Sequence, residues 1–147
     1  MYRRDFIKCI SGIFAFILVS PMNALAGAWN KVAFEAYKLD EAEKILEIKG
    51  GIQSHEILIT VPDKAENGAI VQVEVKSNIP NTETISIFVE KNPTPLIANF
   101  KFSNGAEPFV VTRIKMAETS DVKVIVKAGN LYFINSKNVV VLENGCG

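Results

Sequence analysis

Two periods divide the chain. Between Asn30 and Ile48 the apolar positions Val32, Ala36 and Leu39, then Ala42 and Leu46, recur at intervals of three and four, the spacing of one helix face. Asp40 with Glu43 three residues later has the form of a capping box, so the segment reads equally as one helix or as two short ones, and Gly50-Gly51 closes it. From Ile57 the period becomes two. Residues 57–61, 70–76, 85–90, 96–102, 109–116, 122–127, 131–134 and 138–143 are β-branched or aromatic runs that predict eight strands. The alternation is cleanest in 70–76, where Val71, Val73 and Val75 share one face and Gln72, Glu74 and Lys76 the other.

Turn signals separate these runs. They are Pro62-Asp63, Asn67-Gly68, Pro80-Asn81, Asn92-Pro93, Asn104-Gly105, Ser120-Asp121, Gly129-Asn130 and Asn135-Ser136. Short strands at this spacing, each with one apolar face, bury those faces by stacking two antiparallel sheets. The sequence therefore predicts a mainly β fold, an immunoglobulin-like β-sandwich over residues 53–143 preceded by a helical segment over 27–52. There is no internal repeat.

The N-terminus follows neither period. Arg3-Arg4-Asp5-Phe6-Ile7-Lys8 has the form of a twin-arginine signal, Cys9 to Val19 is an apolar run, and Ala24-Leu25-Ala26 is a small-x-small cleavage site. The apolar run is far shorter than the roughly 20 residues a bilayer-spanning helix needs. Residues 1–26 are thus expected to be an export signal, leaving a periplasmic chain with no membrane segment. Twin-arginine signals serve proteins that fold before export, and the absence of a cofactor motif favours co-export with a second subunit as the reason.

Composition then removes several classes of function. The full chain carries 16 basic and 16 acidic residues, and residues 27–147 carry 13 and 15, so neither shows the basic excess of a nucleic-acid binder. One His and two Cys cannot furnish the usual four ligands of a protein zinc site, and neither metal nor cofactor is expected. The remaining candidates have plain explanations. His55 reads as a surface residue, Trp29 and Phe34 as packing residues, Asp40, Glu41, Glu43 and Glu47 as a solvated acidic helix face, and Arg113 as a half-exposed strand residue. No catalytic group is identified.

Cys146 differs from all of these. With Cys9 lost in the signal it has no intramolecular partner, and it lies in the terminal segment Asn144-Gly145-Cys146-Gly147, directly after the last predicted strand. Gly145 and Gly147 leave the thiol open and the backbone free, while Asn144 tolerates left-handed conformations. Residues 144–147 read as an arm reaching on the order of 13 Å from residue 143. Nothing adjacent would activate the sulfur, since Glu143 and the terminal carboxylate disfavour ionisation of a thiol whose ordinary pKa is about 8.5. A mobile, accessible thiol without local activation suits a carrier whose cargo is attached and processed by other proteins. Two alternatives remain at this point: a structural or interaction sandwich cross-linked through Cys146, and, less well supported without Cys-x-x-Cys, a thiol-disulfide enzyme.

In this respect the sequence resembles the SoxY family, the sulfur-carrier subunit of periplasmic thiosulfate oxidation. The resemblance is carried by the twin-arginine signal, by Ala65-Glu66-Asn67-Gly68, Asn92-Pro93-Thr94-Pro95 and Thr112-Arg113-Ile114-Lys115, and above all by the terminal Cys arm. The family's arm is Gly-Gly-Cys-Gly-Gly, so the arm here, with Asn144 in place of the first glycine and one glycine fewer at its end, is stiffer and shorter. The resemblance implies a heterodimer with a SoxZ-like subunit and a non-catalytic chain. It further implies Cys146 as the covalent attachment point for thiosulfate-derived sulfur. A haem-containing enzyme would ligate the thiosulfate and a hydrolase would release sulfate.

Overall fold

The computed structural model describes residues 30–143. The helical segment forms as two short helices, α1 (Lys31–Phe34) and α2 (Leu39–Ile45). Asn30 caps α1, its side-chain oxygen accepting from the Ala33 amide at 3.3 Å. The Asp40 capping box does not form. Asp40 lies inside α2, whose N-cap is Lys38 without a side-chain bond, and both Asp40 and Glu41 sit in the first turn, where carboxylates complement the helix dipole. The expected apolar face holds except at Val32, which is exposed: Ala36, Leu39, Ala42 and Leu46 turn toward the sheet, and the residues buried there are the small Ala33, Ala36 and Ala42. Such small side chains let both helices lie close upon a sheet.

The strands are β1 (Ile52–Gln53), β2 (Ile57–Thr60), β3 (Lys64–Asn67), β4 (Val71–Ser77), β5 (Thr82–Val89), β6 (Leu96–Lys101), β7 (Phe109–Ile114), β8 (Ser120–Ala128) and β9 (Leu131–Glu143). They build a six-stranded sheet ordered β1-β9-β8-β5-β6, with β3 also on β9, and a three-stranded sheet ordered β2-β4-β7. Inward residues of both sheets form the main core, including Val71, Val73, Val75, Ile85, Ile87, Val122 and Val124. A second core lies on the outer face of the larger sheet, where Phe88, Leu96 and Ile125 meet Ala33 and Ala42 of the helices and Ala36 of the connection between them. The fold therefore has three layers, and β5 is buried on both faces from Ile85 to Val89.

The helix layer is held by charge as well as packing. Lys123 donates from Nζ to Glu43 Oε1 at 2.7 Å, with side chains only 17% and 24% exposed, so Glu43 is not part of a solvated acidic face. In this position the two groups link α2 to β8 in partial shelter from water, where a charged hydrogen bond contributes more than at the open surface.

Three expectations about strands and turns fail for identifiable reasons. Residues 131–134 and 138–143 belong to one strand, β9, because Asn135-Ser136 is not a turn. Asn135 instead uses its amide to join elements: Nδ2 donates to the Ile57 carbonyl at 2.8 Å, and Oδ1 accepts from Gln53 Nε2 at 3.1 Å and from the Ser136 amide at 2.9 Å. Ser120-Asp121 likewise opens β8 rather than a turn. β1 and β3, absent from the predicted set, pair in parallel with β9, Ile52 opposite Phe133 and Ala65 opposite Val141. Ile52 thereby joins the sheet rather than the helical segment. Asn135→Ala should lower stability by about 1–2 kcal/mol, because the partly buried Ile57 carbonyl loses its donor; urea unfolding of the variant checks this.

Candidate functional site

The sequence directs attention to the end of β9. Asn144, Gly145, Cys146 and Gly147 lie outside the described residues, as do residues 1–26 and Trp29. What the structure supplies is the platform from which residue 144 departs.

That platform is pinned on both edges. On one side β3 runs parallel to β9 with Lys64 opposite Val140 and Asn67 opposite Glu143. The Val140 amide donates to the Asp63 carbonyl at 3.0 Å, and the Gly68 amide donates to the Glu143 carbonyl at 2.9 Å. On the other side β8 pairs as far as Ser120 with Val139, beyond which Thr119 continues the edge with its side chain, Oγ1 accepting from the Val141 amide at 2.9 Å. The turn after β3 is fixed in its own right. Asn67 Oδ1 accepts from the Ala69 amide at 2.7 Å, and the Gly68 carbonyl accepts from the Met116 amide at 2.8 Å. The backbone is thus hydrogen-bonded up to Glu143, three residues before the sulfur. Sequence reading missed β3, whose Lys-Ala-Glu-Asn composition carries one apolar residue, and with it this rigid anchorage.

The other candidate residues are not drawn to the same place. His55 is exposed in the connection between β1 and β2. Arg113 is exposed on β7 opposite Gln72, and Phe34 packs against the helix-sheet core. Among the described residues no three His, Cys, Asp or Glu side chains are grouped to hold a metal ion. No described helix is long and apolar enough to cross a membrane.

A groove of about 610 Å³ lies elsewhere, between the helical segment and the sheet, with Phe34, Leu46, Lys127 and Tyr132 in its walls. Glu83 accepts a hydrogen bond from Lys127 at 3.1 Å and holds that ammonium above the ordinary lysine value of 10.5. Tyr132 stands near the opposite end of β9 from Glu143, eleven residues and roughly 35 Å away along the strand. Four fully extended residues span only on the order of 13 Å, well short of that distance.

Comparison with known proteins bears on the same end of the chain. No curated protein matches. A solved structure of the sulfur carrier protein SoxY from Chlorobium limicola f thiosulfatophilum aligns with 37% identity and a TM-score of 0.65, over 71% of this chain and 96% of that one. A chain from a structure on T-cell activation by the superantigen toxic shock syndrome toxin-1 aligns at a TM-score of 0.42 and 14% identity, over 58% of this chain and 99% of that one. That likeness is too distant to bear on function. The family described as "Sulfur oxidation protein SoxY" matches residues 42–146, from the second helix through the sandwich to the cysteine itself. With both the sandwich and the residues beyond its last strand inside that match, the chain belongs to the SoxY family.

Proposed function

We propose that this protein is a periplasmic sulfur carrier that holds thiosulfate-derived sulfur covalently on Cys146 and presents it to partner enzymes. The observation that carries the reading is that the family match extends through residue 146, beyond the last strand, on a chain whose described part ends in a strand hydrogen-bonded on both edges. In the chemistry the family implies, the Cys146 thiol and thiosulfate lose two electrons and one proton to a haem-containing enzyme as a sulfur–sulfur bond forms, giving Cys–S–S–SO3−. Water then cleaves the terminal S–SO3 bond at a hydrolase, releasing hydrogen sulfate and leaving Cys–S–SH. Every bond made or broken lies at or beyond Sγ, so this chain contributes a nucleophilic sulfur and its delivery.

Gly145, Gly147 and Asn144 would give the arm its freedom, and the hydrogen-bonded end of β9 would fix where the arm starts. A SoxZ-like subunit, exported with this chain on its twin-arginine signal, would complete the carrier. The sandwich would then hold that partner and present the arm. Intact-mass measurement without reductant, on protein from the periplasm of cells grown on thiosulfate, should show added sulfur or thiosulfonate on the peptide containing Cys146 and a second small protein copurifying. A bare thiol, or a Cys146-linked homodimer, in those cells would refute the carrier role and return the protein to the cross-linked scaffold.

A further inference from the structure

Ile70 and Leu142 are large apolar side chains left 67% and 63% exposed at the base of the arm. Leu142 immediately precedes Glu143, and Ile70 follows Gly68, whose amide is bonded to the Glu143 carbonyl, by two residues. Both therefore flank the point at which residue 144 leaves the sheet. Glu66, next to Asn67 in the strand paired with β9, and Glu143 add negative charge there, and neither forms an ion pair among the described residues.

The length of the arm turns this placement into a contact. The Cys146 Cα lies at most about 11 Å from that of Glu143, three residues at full extension. An enzyme that processes the sulfur at the end of a pocket several ångströms deep must bring the mouth of that pocket onto the sandwich surface around Glu143. It covers what stands there. We propose that Ile70 and Leu142 form an apolar collar on which the pocket mouth of an arm-processing enzyme seats, its own apolar rim flanked by cationic side chains that face Glu66 and Glu143. The proposal rests on the carrier reading and adds to it the surface by which partners recognise the loaded protein. One exposed apolar residue serves as a control outside this contact. Leu131, 53% exposed, lies at the far end of β9, roughly 40 Å from Glu143.

The test uses the mature protein together with any subunit that copurifies. Cys146 is loaded with tetrathionate, the thiolate attacking the central disulfide to form Cys–S–S–SO3− and expel thiosulfate. Sulfate release by the thiosulfonate hydrolase of the same periplasm is then followed. The variant Ile70→Asp/Leu142→Asp should lose roughly tenfold or more in kcat/KM, mainly through KM, because an apolar contact becomes a buried charge. Leu131→Asp should match the parent, and dithiothreitol should reduce all three adducts at one rate, since the arm chemistry is unchanged. Inserting Gly-Ser-Gly between Glu143 and Asn144 of the collar variant should restore much of the rate, because a longer arm reaches the hydrolase without close seating; a misfolded variant would gain nothing. A collar variant processed as fast as the parent overturns the proposal while leaving the carrier role intact. So does a collar variant that only separates a homodimer, which assigns the patch to a second copy of this chain. A loaded parent that the hydrolase does not process overturns the carrier reading and the collar with it.

Discussion

Cys146→Ser should abolish sulfur loading completely, removing all mass adducts and thiosulfate-dependent sulfate production, while leaving folding and subunit association unchanged. The size of the effect follows from the bond at issue. A serine hydroxyl forms no persulfide or thiosulfonate, so there is no weaker version of the reaction for the variant to fall back on. The retention of fold follows from the mount, because Cys146 lies three residues beyond the last hydrogen-bonded position and β9 closes its pairing at Glu143 without it. Thermal unfolding, copurification of the partner and intact mass read the three consequences separately. A variant that still supports sulfur oxidation would remove Cys146 from the mechanism, and one that unfolds would move the residue from delivery to structure.

The second large effect concerns stability. Phe88→Ala should cost about 3–5 kcal/mol, lowering the thermal midpoint by more than about 10 °C. Phe88 is fully buried on the outer face of β5, where it fills the space between the sheet and the alanines of α1 and α2. Those alanines cannot close the cavity, since their side chains already end at the contact and the Glu43–Lys123 pair limits how far α2 can shift. Once the sample is kept below its new midpoint, the rate at which tetrathionate loads Cys146 should equal the parent's. Phe88 is level, across Lys123, with Ser136 in the middle of β9, and takes no part in the hydrogen bonds that hold the strand's last residues.

The sequence shows the sandwich where alternation is simple and conceals it where strands do two things. In β4 the valines and polar residues alternate as a strand with one wet face must, and its burial follows that order. Ile85-Ser86-Ile87-Phe88-Val89 breaks alternation because it serves two cores, a signal visible in the run of apolar residues but not converted into a third layer. Asn135-Ser136 has turn composition, yet its amide satisfies three groups across two sheets, a role that depends on β2 lying alongside. β3 is illegible for the opposite reason: its backbone pairing with β9 needs little from its side chains, so a polar Lys-Ala-Glu-Asn segment can form a strand. Of the candidate site, Cys146 and its glycines are assigned from residue type and position alone and lie outside the described residues. The proposed collar is not legible in the sequence, because Ile70 and Leu142 are 72 residues apart and look, in one dimension, like ordinary members of two strands.

The parallel seating of β3 on β9 also has a mechanical meaning. In the carrier role proposed above, an enzyme that lets go of the arm would draw on the end of β9, and a pull along the axis of that strand meets a particular resistance. The hydrogen bonds from Asp63 to Gly68 on one side and from β8 on the other lie across that axis, so they bear the load together, in shear, instead of opening one after another. A strand fastened this way would withstand repeated pulls on its end without beginning to peel from the sheet.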